Sequence, residues 1–218
     1  MNTKHKKPTL TKKQRHKLRV QQVRRQKIFL TCLFLLIVGC ILLRFSKFSG
    51  RQKETHQINA ACEAYRDEVS SEAAQYDMSD YVDLILAVMM QESSGQGTDP
   101  MQSSEGAYNT RYPQQPNGIT DPSYSISCGI QELKYALEKA VCTGPTDLSK
   151  IRLALQAYNF GADSYFAYLE ENGQTVWTAQ SAQAFAQMAS GNTQRDEDDP
   201  LHDPAGPWDY GDQYYPDH

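Results

Sequence analysis

Tyr81-Val82-Asp83-Leu84-Ile85-Leu86-Ala87-Val88-Met89-Met90-Gln91-Glu92-Ser93-Ser94-Gly95 is the stretch whose reading decides the fold. Leu84, Ile85, Val88 and Met89 recur at helical spacing and predict a buried stripe on one helix face. Glu92 follows Ile85 by seven residues, Val88 by four and Met89 by three, so its carboxyl points the same way. A carboxyl there loses solvation, which favours the neutral form and raises its pKa. A proton-bearing carboxyl near neutral pH is the state required of a general acid that protonates a glycosidic oxygen. The alternative is a helix that ends on an exposed Glu, with Gly95 as its stop.

Working outward, residues 60–76 have helical composition, and Ser79 or Asp80 is placed to cap the helix that carries Glu92. Residues 95–125 are rich in Gly, Pro, Asn, Ser and Asp and predict a loop of about thirty residues. Loops that long inside a compact domain are uncommon and usually functional. Helical pattern returns over residues 130–141, after a turn around Cys128-Gly129. It continues over 151–159, with Asp147 or Ser149 as cap and Gly161 as stop, and over 164–170 and 176–189. The predicted fold class is mainly α, a helical domain built around one long active-site loop and preceded by one N-terminal transmembrane helix.

The transmembrane expectation comes from the ends of the chain. Residues 1–27 hold eleven Lys or Arg and no acidic residue, and residues 28–43 are sixteen in a row without a charge. Phe45 extends the apolar run, and Lys27 and Arg44 can snorkel, so residues 28–45 read as a membrane span despite their shortness. The competing reading, a cleaved secretory signal, needs an unusually long basic region and a small-residue cleavage site that is not evident after Leu43. Eleven basic residues before the span against four in residues 44–53 place the N-terminus in the cytoplasm and the remainder outside. The expected organisation is a basic cytoplasmic tail (1–27), an anchor (28–45), a stalk (46–56), a domain (57–190) and an acidic C-terminal segment expected to be mobile (191–218), with the aromatic residues 208–215 placed to dock.

Charge is distributed very unevenly. All 26 acidic residues lie from Glu54 onward with only seven of the 22 Lys and Arg, so the exported part carries a formal charge of −19. Such a surface is a poor nucleic-acid binder, and the basic arm before the span, which could in principle meet nucleic acid, already has a topological explanation, so no nucleic-acid partner is expected. Cys62, Cys128 and Cys142 lie in this part; Cys128 and Cys142 are candidates for pairing, but buried free thiols suit a domain with an adequate core. The five His are scattered and no Cys-x-x-Cys occurs, so neither a metal nor a cofactor is expected.

Three segments, in order, carry a family resemblance. Gln91-Glu92-Ser93-Ser94-Gly95 with Asp99-Pro100-Met101-Gln102-Ser103-Ser104-Glu105 resembles the catalytic block of the lysozyme-like domain of Gram-positive membrane-anchored cell-wall hydrolases. Residues 117–131, Asn117-Gly118-Ile119-Thr120 through Gly129-Ile130-Gln131, are similar to that family's loop and following helix start. Leu155-Gln156-Ala157-Tyr158-Asn159-Phe160-Gly161 resembles the Ala-Tyr-Asn-x-Gly block shared with lytic transglycosylases and goose-type lysozymes. Trp208-Asp209-Tyr210-Gly211-Asp212-Gln213-Tyr214-Tyr215 resembles the family's closing Tyr-Gly-Asp-x-x-Tyr block, although it follows an acidic insertion.

The resemblance implies a lysozyme fold that cuts the β-1,4 bond between N-acetylmuramic acid and N-acetylglucosamine in peptidoglycan, with Glu92 as the general acid. A two-acid hydrolase needs a second carboxylate, roughly 5 Å away for retention or roughly 6.5–9.5 Å for inversion. Glu105 and Asp121 are the candidates, with Asp99 behind them. Gln102, Ser104, Ser127, Gln131, Tyr158 and Asn159 are the candidate substrate-binding residues, able to read sugar hydroxyls and N-acetyl groups. Tyr108, Tyr112 and Tyr124 are placed either to stack on sugars or to pack the loop itself. Muramidase action is the favoured reading. A lytic transglycosylase, which needs one Glu and leaves a 1,6-anhydro product, and a non-catalytic glycan-binding assembly factor are the rivals. Anchored members of the family occur on conjugative elements, so the implied partners are glycan strands, the membrane, and a conjugation or secretion apparatus.

Overall fold

The computed structural model describes residues 57–199 and 202–218; the tail, anchor and stalk expected over residues 1–56 lie outside the described residues. Seven α-helices are described: α1 (Ala60–Glu63), α2 (Arg66–Gln75), α3 (Val82–Ser93), α4 (Pro122–Lys139), α5 (Leu148–Phe160), α6 (Ala162–Glu171) and α7 (Ala179–Ala189). Two 3-10 turns, Ser79–Tyr81 and Tyr215–Asp217, complete them, and one isolated bridge joins Gln194 to Trp208. Among the described residues no helix is long and apolar enough to cross a membrane.

The helix that carries Glu92 forms where its pattern places it, with a small rotation of the stripe. Ile85, Leu86, Val88 and Met89 are buried, whereas Leu84 is only partly so. α3 therefore presents Ile85, Leu86 and Met89 to a core completed by Val69 and Ala73 of α2 and by Ile126, Ile130 and Leu133 of α4. The helix ends on Ser94 in the left-handed region (φ 55°), followed by Gly95 at φ 73°. Gly95 is required twice over, because a Cβ there would also lie 2.9 Å from the backbone N of Cys62 in α1.

Two elements differ from the sequence reading. Residues 60–76 break at Ala64-Tyr65 into α1 and α2. α4 begins eight residues before the expected start, because the Asp121 side chain accepts from Ser123 N at 3.2 Å and Pro122 occupies the first turn. The expected turn at Cys128-Gly129 is thus helix interior. Gly129 serves packing there: a Cβ would meet Met101 Cβ at 2.5 Å, so the Met101 side chain of the loop lies directly on the α4 backbone. Asp147 caps α5, and Thr178 and Ser181 form a reciprocal cap on α7.

α4 packs lengthwise on α5, and α5 carries α6 and the chain's last segment. An aromatic cluster joins these parts, with Phe160, Tyr165, Phe185 and Tyr210 at centroid separations of 5.1–5.8 Å. The C-terminal segment, expected to be mobile, is docked from residue 203 onward. Tyr210 Oη donates to Phe160 O (3.1 Å), and buried Gln156 donates to Asp212 O (2.7 Å) while accepting from Trp177 Nε1 (2.8 Å). Buried aromatic surface and paired polar groups outweigh its acidic composition; Asp196, Glu197 and Asp198 remain exposed. Cys62, Cys128 and Cys142 are all free thiols.

Candidate active site

A cleft of about 610 Å³ opens beside the last turn of α3, and Glu92 lines it with Gln102, Glu105, Asn159, Asp212 and Tyr215 among others. Four parts of the chain build it: the end of α3, the loop at 99–106, the end of α5 with Asn159, and the docked C-terminal segment. The Glu92 carboxyl is partly covered, and Tyr215 Oη donates to its Oε1 at 2.6 Å. Burial raises the Glu92 pKa to about 7; the Tyr215 hydrogen bond pulls the other way, and the negative charges of Asp99 and Asp212 push it up further. Tyr215 is itself buried, which with Glu92 beside it holds its hydroxyl protonated, as a donor. One Glu92 oxygen is thereby fixed by Tyr215, and the other is left to carry a proton.

The loop is organised around Asp99. Its buried carboxylate accepts from Ser103 N (3.1 Å), Ser104 N (3.2 Å) and Ser125 Oγ (2.6 Å), and from Ser104 Oγ in a short contact. Ser104 Oγ in turn accepts from Ile119 N at 2.9 Å. Ser104 is therefore a buried brace that ties the loop's two halves, and the structure does not bring it to the cleft surface. Tyr158 has a similar place: its hydroxyl donates to Met101 O at 2.8 Å, holding the loop onto α5.

Gln102 does reach the cleft, from a left-handed backbone (φ 49°), with its amide NH2 bound to Asp99 O and Asn117 Oδ1 at 3.0 Å each. Asn159 also lines it, and its Oδ1 accepts from Asp212 N at 2.8 Å. Glu105 lies exposed in the same cleft as Glu92. Asp121, Ser127 and Gln131 do not. They line a separate depression of about 550 Å³ with Tyr76, Tyr108, Arg111 and Tyr124. The cause is the early start of α4, which makes Asp121 its cap and turns Ser127 and Gln131 toward α2, where Ser127 Oγ meets Tyr76 Oη at 3.0 Å. Tyr112 packs on Tyr124 (centroids 5.5 Å), and the Tyr124 hydroxyl bonds Tyr108 O and Thr110 N, so these rings pack the loop. Cys128 Sγ points to Tyr108 O (3.4 Å) and is buried.

Tyr215 and Asp212 line the cleft and are not among the candidate residues that the sequence offers. They come from the closing Tyr-Gly-Asp-x-x-Tyr block, whose aromatic residues suggest docking in the sequence, while its approach to Glu92 is seen only in the structure. Asp212 accepts from Tyr214 N (2.8 Å) and pairs with His218 Nδ1 (2.7 Å). Replacing Tyr215 by Phe removes the interaction that favours the Glu92 carboxylate. The Glu92 pKa is then expected to rise above about 7, carrying the alkaline limb of the rate profile to higher pH while kcat falls about tenfold from lost positioning. A pH–rate profile of the variant with an unmoved or lower limb would contradict this assignment.

A helical domain with a desolvated Glu at a helix end, beside an Ala-Tyr-Asn-x-Gly block, defines the lysozyme-like class. Residues 60–216 match the lysozyme-like family, and the chain belongs to it. It is 38% identical over 120 residues to the bifunctional muramidase/DL-endopeptidase CwlT of Bacillus subtilis (strain 168), a match covering 55% of this chain and 32% of CwlT. It is 40% identical over 115 residues to the membrane protein YocA of the same organism, covering 51% of this chain and 45% of YocA. The pneumococcal vaccine antigen A of Streptococcus pneumoniae is 32% identical over 134 residues, 61% of each chain. Among solved structures, a Staphylococcus aureus protein similar to a lipoprotein of the NLP/P60 family superposes with a TM-score of 0.59 at 28% identity, covering 73% of this chain and 51% of that one. The chain spans less than two thirds of the length of each of these relatives.

Proposed function

We propose that this domain cleaves the β-1,4 bond between N-acetylmuramic acid and N-acetylglucosamine in peptidoglycan glycan strands, acting as a muramidase with Glu92 as general acid. The observation that carries the reading is the carboxyl at the cleft wall, held by Tyr215 and raised to about 7 by burial. Near neutral pH it has a proton to give to the leaving glycosidic oxygen, and as a carboxylate it can then take one from water. Glu105 shares the cleft and is the second carboxylate of this proposal. Gln102 and Asn159 contact the substrate, with the Asn159 NH2 left to donate to an N-acetyl carbonyl. Similarity to CwlT, named a muramidase, supports the same reaction class. Residues 28–45 anchor the chain in the membrane with the domain outside, which confines wall opening to a local site such as a conjugation or secretion apparatus.

Glu92 is also the cleft carboxyl that burial protects, while Glu105 is exposed and Asp212 is engaged by His218 and Tyr214. That asymmetry is the observation behind a second reading, a lytic transglycosylase using one acid. Mass spectrometry of digested wall separates the two. Reducing muramyl ends are expected; 1,6-anhydromuramyl ends would instead establish the one-acid route.

A further inference from the structure

α4 turns one face to the active-site loop, and its residues meet the loop in sequence. Ser125 Oγ donates to Asp99 and accepts from Met101 N at 3.1 Å, Cys128 meets Tyr108 O, and Gly129 makes room for Met101. One turn further along the same face stands Glu132, and it differs in kind. Its Oε1 is buried without a hydrogen-bond partner, and no ion pair reaches the residue among the described residues. The carboxyl lies directly under Gly106: a Cβ added at Gly106 would fall 1.4 Å from Oε1. Gly106 follows Glu105, and its N–H donates to Ser103 O at 3.2 Å, so the carboxyl is wedged against the stretch that lines the cleft.

The groups that act on Glu132 offer it no cation. Asp99 faces it from the loop and Glu92 from α3, and both are acidic; Tyr158 of α5, Tyr108 and Cys128 feel its charge in turn. Burial first, then Asp99 and Glu92, raise the Glu132 pKa to about 8. An apolar residue of similar volume would avoid leaving a polar oxygen unpaired. An unpaired, ionisable group kept against such a penalty is what a functional site retains.

We propose that Glu132 is a positioning residue for the proton transfer assigned to Glu92: a buried, unpaired carboxyl beneath Gly106 that fixes the Gln102–Glu105 wall of the cleft. The proposal rests on the reading of Glu92 as the acid. While neutral, Glu132 adds no further charge to the Asp99 and Asp212 that already act on Glu92, and it packs against the loop without repulsion. When it ionises, three carboxylates share one poorly solvated cluster, and the stretch from Met101 to Gly106 is driven from α4.

The test compares the full chain with Glu132→Gln and Glu132→Leu by two readouts. The first is melting as a function of pH. Glu132 has its pKa raised on folding, so the parent loses stability as pH rises from about 4.5 to about 8, and Gln has no charge to lose. Glu132→Gln is expected to melt about 5 °C or more above the parent at pH 8.5 and level with it at pH 4. The second readout is kcat and KM for wall digestion against pH. Glu132→Leu is expected to lower kcat about tenfold with little change in KM. Glu132→Gln is expected to restore kcat below pH 7 and to reduce the alkaline limb from a two-proton to a one-proton slope.

A melting difference that does not grow with pH overturns the proposal, as does a Gln variant with the parent's two-proton limb. If Glu132→Leu does not fold, the Gln arm decides alone. An inactive parent removes the functional reading and the positioning role with it; the melting curves then still decide whether Glu132 is held uncharged.

Discussion

Glu92→Gln is expected to lower kcat for wall digestion by about 10²- to 10⁴-fold, the contribution of a positioned general acid. The same variant is expected to be more stable near neutral pH. Folding raises the Glu92 pKa from 4.5 to about 7, so the folded chain keeps a proton that the unfolded chain releases. That preference stabilises the fold fully below about pH 4.5 and is lost as pH rises to about 7. The amide has no charge to desolvate, and the gain at pH 7 and above is at most about 3 kcal/mol, vanishing at pH 4. Urea melts at the two pH values beside a wall-digestion assay measure both effects. A variant that is inactive and also less stable at pH 7 would point to misfolding and leave the acid unassigned.

Asp99→Ala has the second large effect, because Asp99 organises the loop that faces Glu92. Removing its carboxylate orphans buried donors on Ser103, Ser104 and Ser125, and a loss of about 3 kcal/mol or more is expected. The electrostatic consequence is separate. Asp99 helps to raise the Glu92 pKa, so its loss moves that pKa downward and the alkaline limb of activity to lower pH. Asp99→Asn keeps an acceptor oxygen and most of the shape. It should therefore move the limb in the same direction with a smaller loss of stability. Equal melting of Ala and Asn variants, or limbs that stay in place, would show that the loop does not depend on this carboxylate.

The α3 stripe and Glu92's place on it follow from spacing alone, because a 3.6-residue period fixes which side chains share a face. The left-handed exit at Ser94-Gly95 was signalled by the glycine. A start at residue 130 treats Gly129 as punctuation and falls eight residues short, because the missing Cβ serves contact with Met101 inside a continuous helix. That misreading scattered the candidates: with α4 begun at Pro122, Asp121 becomes a cap, and Ser127 and Gln131 face a different depression. It also hid Glu132, whose seven-residue spacing from Ser125 has meaning only on one continuous helix. In the C-terminal segment the acidic composition of residues 191–204 points to mobility and the aromatic residues 208–215 point to docking. Local acidity says nothing of Tyr210 and Tyr215, which dock through contacts with α5 and α3 that are distant in sequence.

The most direct measurement is the titration of the Glu92 carboxyl itself, followed by 13C NMR as the difference between the parent and Glu92→Gln. A midpoint near 7, moving upward in Tyr215→Phe, is the result predicted for an acid held dry at the cleft wall. A midpoint near the ordinary 4.5 in both would contradict it, because the group would then be a solvated carboxylate with no proton to give near neutral pH.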